Sequence, residues 1–196
     1  MLNNHTDASN IQAYRAGNNL AFDQLYRRYE RPLFSFILRT VRDRSMADDL
    51  FQQTWLKAIK GLPKYNEQGK FSSWLFGIAH NCCIDQIRKK QNKIEANTIK
   101  SDVDPFIQIK GDLPDPEAVM IRNEETQLIK HTLDRIPEEQ RQVLLLRLNG
   151  EMPFKEIAEL MQCSINTVLG RMHYAIKNVR KIIQESTGEG TQHVLS

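Results

Sequence analysis

Apolar residues in the first half of the chain return every three or four positions. Leu20, Phe22, Leu25, Tyr26 and Tyr29 start the series, and Leu33, Phe34, Phe36, Ile37, Leu38 and Val41 extend it. That spacing lays a stripe along one face of an α-helix. Pro32 sits between the two sets and predicts a bend or break between two helical stretches. Ser45 is placed to cap the next helix, with Asp48 and Asp49 suited to its positive N-terminal end. Leu50, Phe51, Thr54, Trp55, Ala58 and Ile59 carry that helix to a stop at Gly61-Leu62-Pro63. After a polar loop, Lys64 to Lys70, a further helix is predicted from Phe71 or Ser72 to about Lys90. Its apolar positions are Trp74, Leu75, Ile78, Ala79, Cys82, Ile84 and Ile87. No alternation of period two competes, so strands are not expected.

The pattern fails between Gln91 and Glu117, where Asp102, Asp104, Pro105, Gly111, Asp112, Pro114, Asp115 and Pro116 dominate. A stretch of that length without periodicity reads as an interdomain linker. Helical spacing resumes near Ala118 and runs through Leu128, Ile129 and Leu133 to Ile136. Pro137 then opens a helix bearing Val143, Leu144, Leu145 and Leu148 up to Asn149-Gly150. The expected fold is therefore all-α, with two helical domains joined by a flexible linker. Their bounds are residues 11–90, 91–117 for the linker, and 118–185.

Two patterns at the C-terminal end sharpen this picture. Phe154 to Met161 holds Ile157, Ala158 and Leu160; after a turn at Gln162-Cys163, Ser164 can cap a longer helix to about Ile183. Ala158 allows close approach of two crossing helices, and Ile157, Met161 and Val168 can fill the interface. This is the arrangement of a helix-turn-helix, whose second helix enters the major groove. Its proposed reading face carries Asn166, Thr167, Arg171, His173, Tyr174 and Lys177, with Arg180 and Lys181 beyond. Arginine can bond guanine bidentately and asparagine adenine, while lysine suits phosphates. A helical hairpin with a basic second helix would show the same spacing, so the pattern alone leaves both readings open.

Charge separates the two halves. Residues 1–90 carry 14 basic and 8 acidic side chains, residues 91–120 carry 3 and 6, and residues 121–196 carry 10 of each. A basic first half suggests a polyanionic partner. No apolar run approaches a membrane span, and Met1 to Asn10 lacks the makings of a signal peptide, so a cytoplasmic protein with no membrane insertion is expected. Cys82, Cys83 and Cys163 lack metal-site spacing and read as reduced, buried small side chains. No nucleophile–base set, metal cluster or phosphate-cradling glycine motif is present. Catalytic residues, metal ligands and cofactors are accordingly not expected.

Three motifs, in order, resemble the compact extracytoplasmic-function group of sigma-70 factors, over roughly residues 11–185. Asp49-Leu50-Phe51-Gln52-Gln53-Thr54-Trp55 is similar to the family's polymerase-binding helix, with Gln53 in place of the usual glutamate. Asp49, Gln52, Gln53 and Leu56 fall at helical neighbour spacings and can form one docking stripe; Trp55 suits either core or contact. Phe71-Ser72-Ser73-Trp74-Leu75-Phe76-Gly77-Ile78-Ala79-His80-Asn81, continuing to Arg88-Lys89-Lys90, resembles the helix that melts the promoter and reads its downstream hexamer. The resemblance implies that the Lys64 to Lys70 loop forms a pocket for an extruded base, that Asn81 approaches the bases, and that Arg88 and Lys89 hold phosphates. Ser72 and Gly77 stand where the family often has basic residues. Glu156-Ile157-Ala158-Glu159-Leu160-Met161, with Thr167-Val168 and Arg171-Met172-His173, resembles the reader of the upstream element. There Gln162 replaces a common turn glycine, and Leu169 a frequent basic residue.

The resemblance implies a non-enzymatic sigma factor that binds core RNA polymerase and directs promoter-specific initiation. Its DNA partners would be a double-stranded upstream element and a melted downstream element. It further implies an anti-sigma factor as a partner, and an acidic linker that threads the polymerase. Two other readings stay open on sequence: a helix-turn-helix regulator that acts without polymerase, and a helical interaction module with a degenerate DNA-binding end.

Overall fold

A computed structural model describes the backbone of residues 6–66, 70–97 and 120–192, and the side chains of 6–66, 70–92 and 127–185. Within these residues the chain forms eight α-helices and one 3-10 turn: α1 (Asp7–Arg15), α2 (Asn19–Val41), α3 (Arg44–Gly61), the 3-10 turn (Leu62–Lys64), α4 (Phe71–Asn97), α5 (Met120–Arg135), α6 (Glu138–Asn149), α7 (Phe154–Leu160) and α8 (Ile165–Gln192). The all-α expectation holds. The helices divide into two compact units, one built on α1 to α4 with Asn149–Met152 added, the other on the rest of α5 to α8.

In the first unit, α2, α3 and α4 pack on one another and α1 lies against α2. Leu25, Leu33, Phe36 and Ile37 from α2 are fully buried, with Ala47 and Ala58 from α3 and Leu75, Phe76, Ala79 and Cys83 from α4. Phe36 meets Phe76 edge-on at 5.3 Å between ring centroids, a favoured aromatic geometry. Phe51 touches Tyr26, Phe34 and Trp55, and Trp55 is buried, which places it in the core. Small residues on α3 let the helices approach, and the aromatic rings fill what remains.

Of the two outcomes expected at Pro32, a break does not occur, and the expected cap of the next helix is displaced. Pro32 lies inside α2, which runs unbroken from Asn19 to Val41. A proline removes one backbone hydrogen bond, but apolar residues buried on both sides, Leu25 before it and Leu33, Phe36 and Ile37 after it, favour one continuous element. The cap of α3 is Asp43 rather than Ser45: its carboxylate accepts from the Met46 amide at 2.9 Å. Ser45 is exposed and lies two residues past the cap, already inside the helix.

The helix predicted to stop near Lys90 continues to Asn97, so seven residues assigned to the linker are helical. The acidic linker residues Asp102, Asp104, Asp112, Asp115 and Glu117 lie outside the described residues.

In the second unit, α8 packs against α5 and α7. Ile157, Val143, Leu146, Val168 and Ala175 are fully buried, with Ala158 and Ile182 nearly so. Leu148, expected on the buried face of α6, is instead 65% exposed. Cys82 and Cys83 are buried and Cys163 only half so; all three are free thiols.

Candidate polymerase and nucleic-acid interfaces

The surface of α3 divides sharply by helical register. Ala47, Leu50, Thr54 and Ala58 are buried, while Asp49, Gln52, Gln53 and Leu56 are all exposed. Those four occupy positions i, i+3, i+4 and i+7, one stripe of neighbouring side chains. Leu56 is 58% exposed in the middle of that polar face, an apolar group with no fold to serve on its own side of the helix.

After α3 the chain turns through Leu62–Lys64 into the loop that leads to α4. An aromatic cluster braces both ends of it. Tyr65 packs on Trp74 at 4.8 Å and on Phe71 at 5.8 Å, Phe71 on Trp74 at 5.6 Å, and Tyr29 on Phe71 at 5.4 Å. Gly61 makes room for the indole: a β-carbon there would lie 2.8 Å from Trp74 Cζ2. Burial, and then the hydrogen bond that its hydroxyl donates to Asp7, raises the Tyr29 phenol above the ordinary tyrosine value. Desolvation of half-buried Arg39, elsewhere on α2, lowers its pKa. Lys64 and Lys70, the loop's two cations, are exposed; residues 67–69 lie outside the described residues.

On α4, Asn81 and Arg88 are exposed on one line of the helix with Asp85 between them, and exposed Lys89 adjoins Arg88. Ser72 and Ser73, near the start of the helix, are buried. Their hydroxyls therefore face the interior, and Ser72 is not available at the surface where the family often has a basic residue.

The second unit carries the helix-turn-helix. Gln162, in the turn, adopts φ = 52°, the left-handed region that usually takes glycine. Ser164 caps α8, its hydroxyl accepting from the Thr167 amide at 3.1 Å and lying 2.8 Å from the Thr167 hydroxyl. Asn166, His173 and Lys177 are exposed along one line of α8, and Thr167 and Tyr174 are exposed along an adjacent one. Tyr174 is 55% exposed, its ring edge-on to His173 at 5.5 Å.

Arg171 falls on the Thr167–Tyr174 line by register but is the least exposed of the set. Its side chain is only 20% exposed, and it donates hydrogen bonds to the Glu139 carboxylate of α6 and, at 3.6 Å, to Cys163 Sγ. Two more ties hold α8 in place: Asn178 donates to Gln140 at 2.8 Å, and Arg135 pairs with Glu185 at 3.4 Å. Sequence reading named Arg171 but missed Glu139, because a partner 32 residues away leaves no local periodic signal.

Two sequence profiles match the two units in order: Sigma-70 region 2 over residues 25–93 and Sigma-70 region 4 over residues 126–179. The chain belongs to the sigma-70 family. It is a sigma factor of the extracytoplasmic-function type, a transcription initiation factor that binds core RNA polymerase and promoter DNA.

Relatives of this sigma factor match along nearly their whole length. The RNA polymerase sigma-H factor of Pseudomonas aeruginosa is 27% identical over 187 residues, covering 94% of this chain and 97% of that protein. The ECF RNA polymerase sigma factor SigW of Bacillus subtilis is 26% identical over 178 residues, covering 89% and 95%. Among solved structures, the sigma factor RpoE of Bartonella quintana, in complex with the anti-sigma factor NepR, superposes with a TM-score of 0.67. It has 20% identity, over 83% of this chain and 96% of that one. CnrH, in complex with the cytosolic domain of CnrY, gives 0.63 at 20% identity, over 92% and 99%. At that identity the superpositions bear on the fold alone. Among the described residues no helix is long and apolar enough to cross a membrane.

Proposed function

We propose that the sigma factor divides its work between its units as follows. Residues 11–90 bind core polymerase and open the promoter, residues 91–117 connect, and residues 118–185 anchor the upstream element. Asp49, Gln52, Gln53 and Leu56 form the polymerase contact. Lys64, Lys70 and Asn81 meet the melted downstream element, with Arg88 and Lys89 on its phosphates. Asn166, Thr167, Arg171, His173, Tyr174 and Lys177 meet the duplex upstream element, and any catalysis belongs to the polymerase.

The observation that carries this reading is the stripe on α3. An exposed leucine among three polar side chains, on a helix whose opposite face is core, has the composition of a docking surface. An anti-sigma factor that covers the α3 stripe in the cytoplasm is part of the proposal, supported by the structural neighbour solved with the anti-sigma factor NepR.

The test is reconstituted transcription with core polymerase, this protein and fragments of its source genome. Promoter-dependent transcripts are expected only when the protein is present. Absence of such transcripts from active preparations refutes the reading. A regulator that acts without polymerase would instead bind duplex fragments and leave core polymerase unretained.

A further inference from the structure

The last residue of α1 makes a contact that neither the core nor the motifs account for. Arg15 donates from Nε and Nη2 to the Leu62 carbonyl, at 3.1 and 2.9 Å, and from Nη2 to the Tyr65 carbonyl. The Leu62 carbonyl also accepts from the Tyr65 amide at 3.2 Å, the bond that closes the 3-10 turn, so the guanidinium grips the carbonyl that anchors the turn together with the one just past its end. A guanidinium presents its donors in a rigid fork. It therefore fixes two carbonyls, three residues apart, relative to each other and to α1, across 47 to 50 residues of sequence.

What the fork fixes is the entry to the loop. Lys64 lies between the two gripped residues and points its exposed side chain outward. The Tyr65 ring is buried against Trp74 and Phe71, and Phe71 begins α4 just after Lys70. Apolar packing thus braces both ends of the loop, and at the near end hydrogen bonds from a side chain outside the motif fix the backbone as well.

We propose that Arg15 is a positioning residue for recognition of the melted strand: it holds the Leu62–Tyr65 backbone so that Lys64 is presented in one geometry. This rests on the reading that Lys64 and Lys70 flank the site for single-stranded DNA. Arg15 itself touches no nucleotide in this scheme. Its loss blurs sequence selection rather than removing a phosphate contact.

The test uses holoenzyme assembled from core polymerase and the full chain, offered a randomised pool of short single-stranded DNA that is sequenced after capture. Wild-type holoenzyme is expected to enrich one motif. Arg15→Gln should lower that enrichment about tenfold, the scale of losing charge-assisted hydrogen bonds. Affinity for core polymerase and for duplex upstream DNA should stay within about twofold, since those surfaces are untouched. Arg15→Lys, which keeps the charge but loses the fork, should fall between the two, and decides the matter if Arg15→Gln fails to fold. Unchanged enrichment in both variants overturns the proposal. So does parallel loss of core binding and selection by Arg15→Lys, which would make Arg15 a residue of the fold only. A wild-type holoenzyme that enriches no motif refutes the underlying assignment of the loop instead, and the two failures are told apart by that control.

Discussion

Replacing Gly61 by alanine tests how tightly the aromatic brace is built. Gly61 has φ = −84° and ψ = −25°, ordinary helical values that alanine adopts without strain. On backbone grounds alone the change should stabilise the end of α3 by about 0.5–1 kcal/mol. The new methyl would, however, sit 2.8 Å from Trp74 Cζ2 and 3.3 Å from Cη2. Those atoms belong to a rigid ring already in contact with Tyr65 and Phe71, so the indole must be displaced with its neighbours. Overpacking of that kind costs about 1–3 kcal/mol. The repulsive term wins, leaving a net loss of about 1–2 kcal/mol, or a melting temperature lower by roughly 5–10 °C for a unit of this size.

Both tryptophans of the chain, Trp55 and Trp74, lie in the first unit, so thermal melting followed by tryptophan fluorescence reads that unit alone. Trp74→Phe removes the offending part of the ring and leaves Trp55 as reporter. In that background Gly61→Ala should be neutral or mildly stabilising, a coupling of about 1–3 kcal/mol between the two sites. An unchanged or higher melting temperature in the wild-type background would refute the reasoning, as would an equal drop in both backgrounds.

Four further expectations follow from the structure. Leu56→Glu should abolish retention of the protein by core polymerase while leaving binding to duplex upstream DNA intact. Arg171→Ala should do the reverse, weakening upstream binding by about 1–3 kcal/mol in a DNA titration; equal loss of both activities in either variant contradicts the division of labour. Gln162→Gly should raise the stability of the second unit by up to about 1 kcal/mol, because it relieves a left-handed backbone, and a chemical denaturation curve shifted the other way would count against it. Tyr29, whose phenol is raised by burial and by its bond to Asp7, should hold its proton in the folded state where an unfolded tyrosine has lost it. Its contribution to stability is then complete below the ordinary value of 10.0 and lost as pH rises beyond it. Tyr29→Phe should flatten that alkaline decline in denaturation measurements.

Most of the helices were legible because burial imposes a period on the sequence. The spacing of Leu25, Leu33, Phe36 and Ile37 predicts α2, and Ile157, Ala158 and Val168 predict the crossing of α7 and α8. The turn was legible through Ser164, whose side chain caps α8 as expected. A break at Pro32 does not occur, because a local rule about proline says nothing of the packing that holds the helix on either side of it. Ser45 misled for a similar reason: a serine and an aspartate two residues apart are equally good caps, and only the entry angle of the chain selects Asp43.

In the candidate sites, exposure of Asp49, Gln52, Gln53 and Leu56 follows from helical register and was open to sequence reasoning. The grip of Arg15 on Leu62 and Tyr65, and of Glu139 on Arg171, was not. Each joins residues that only tertiary folding brings together. Arginines pair with any carboxylate or carbonyl in reach, so no spacing announces the partner.

The pairing of Arg171 with Glu139 bears on how such a protein finds one site in a genome. Every exposed cation on a DNA-facing helix attracts phosphate indiscriminately and releases counterions wherever it lands. A guanidinium that already has its own carboxylate contributes little to that general attraction, because meeting DNA exchanges one anion for another. Under the proposed assignment Arg171 would therefore add almost nothing on random sequence, and would favour binding only where a base edge offers a better geometry than Glu139. Lys177 and its exposed neighbours would supply the residence time on any duplex; the carboxylate behind Arg171 would make that residue a selector rather than another source of adhesion.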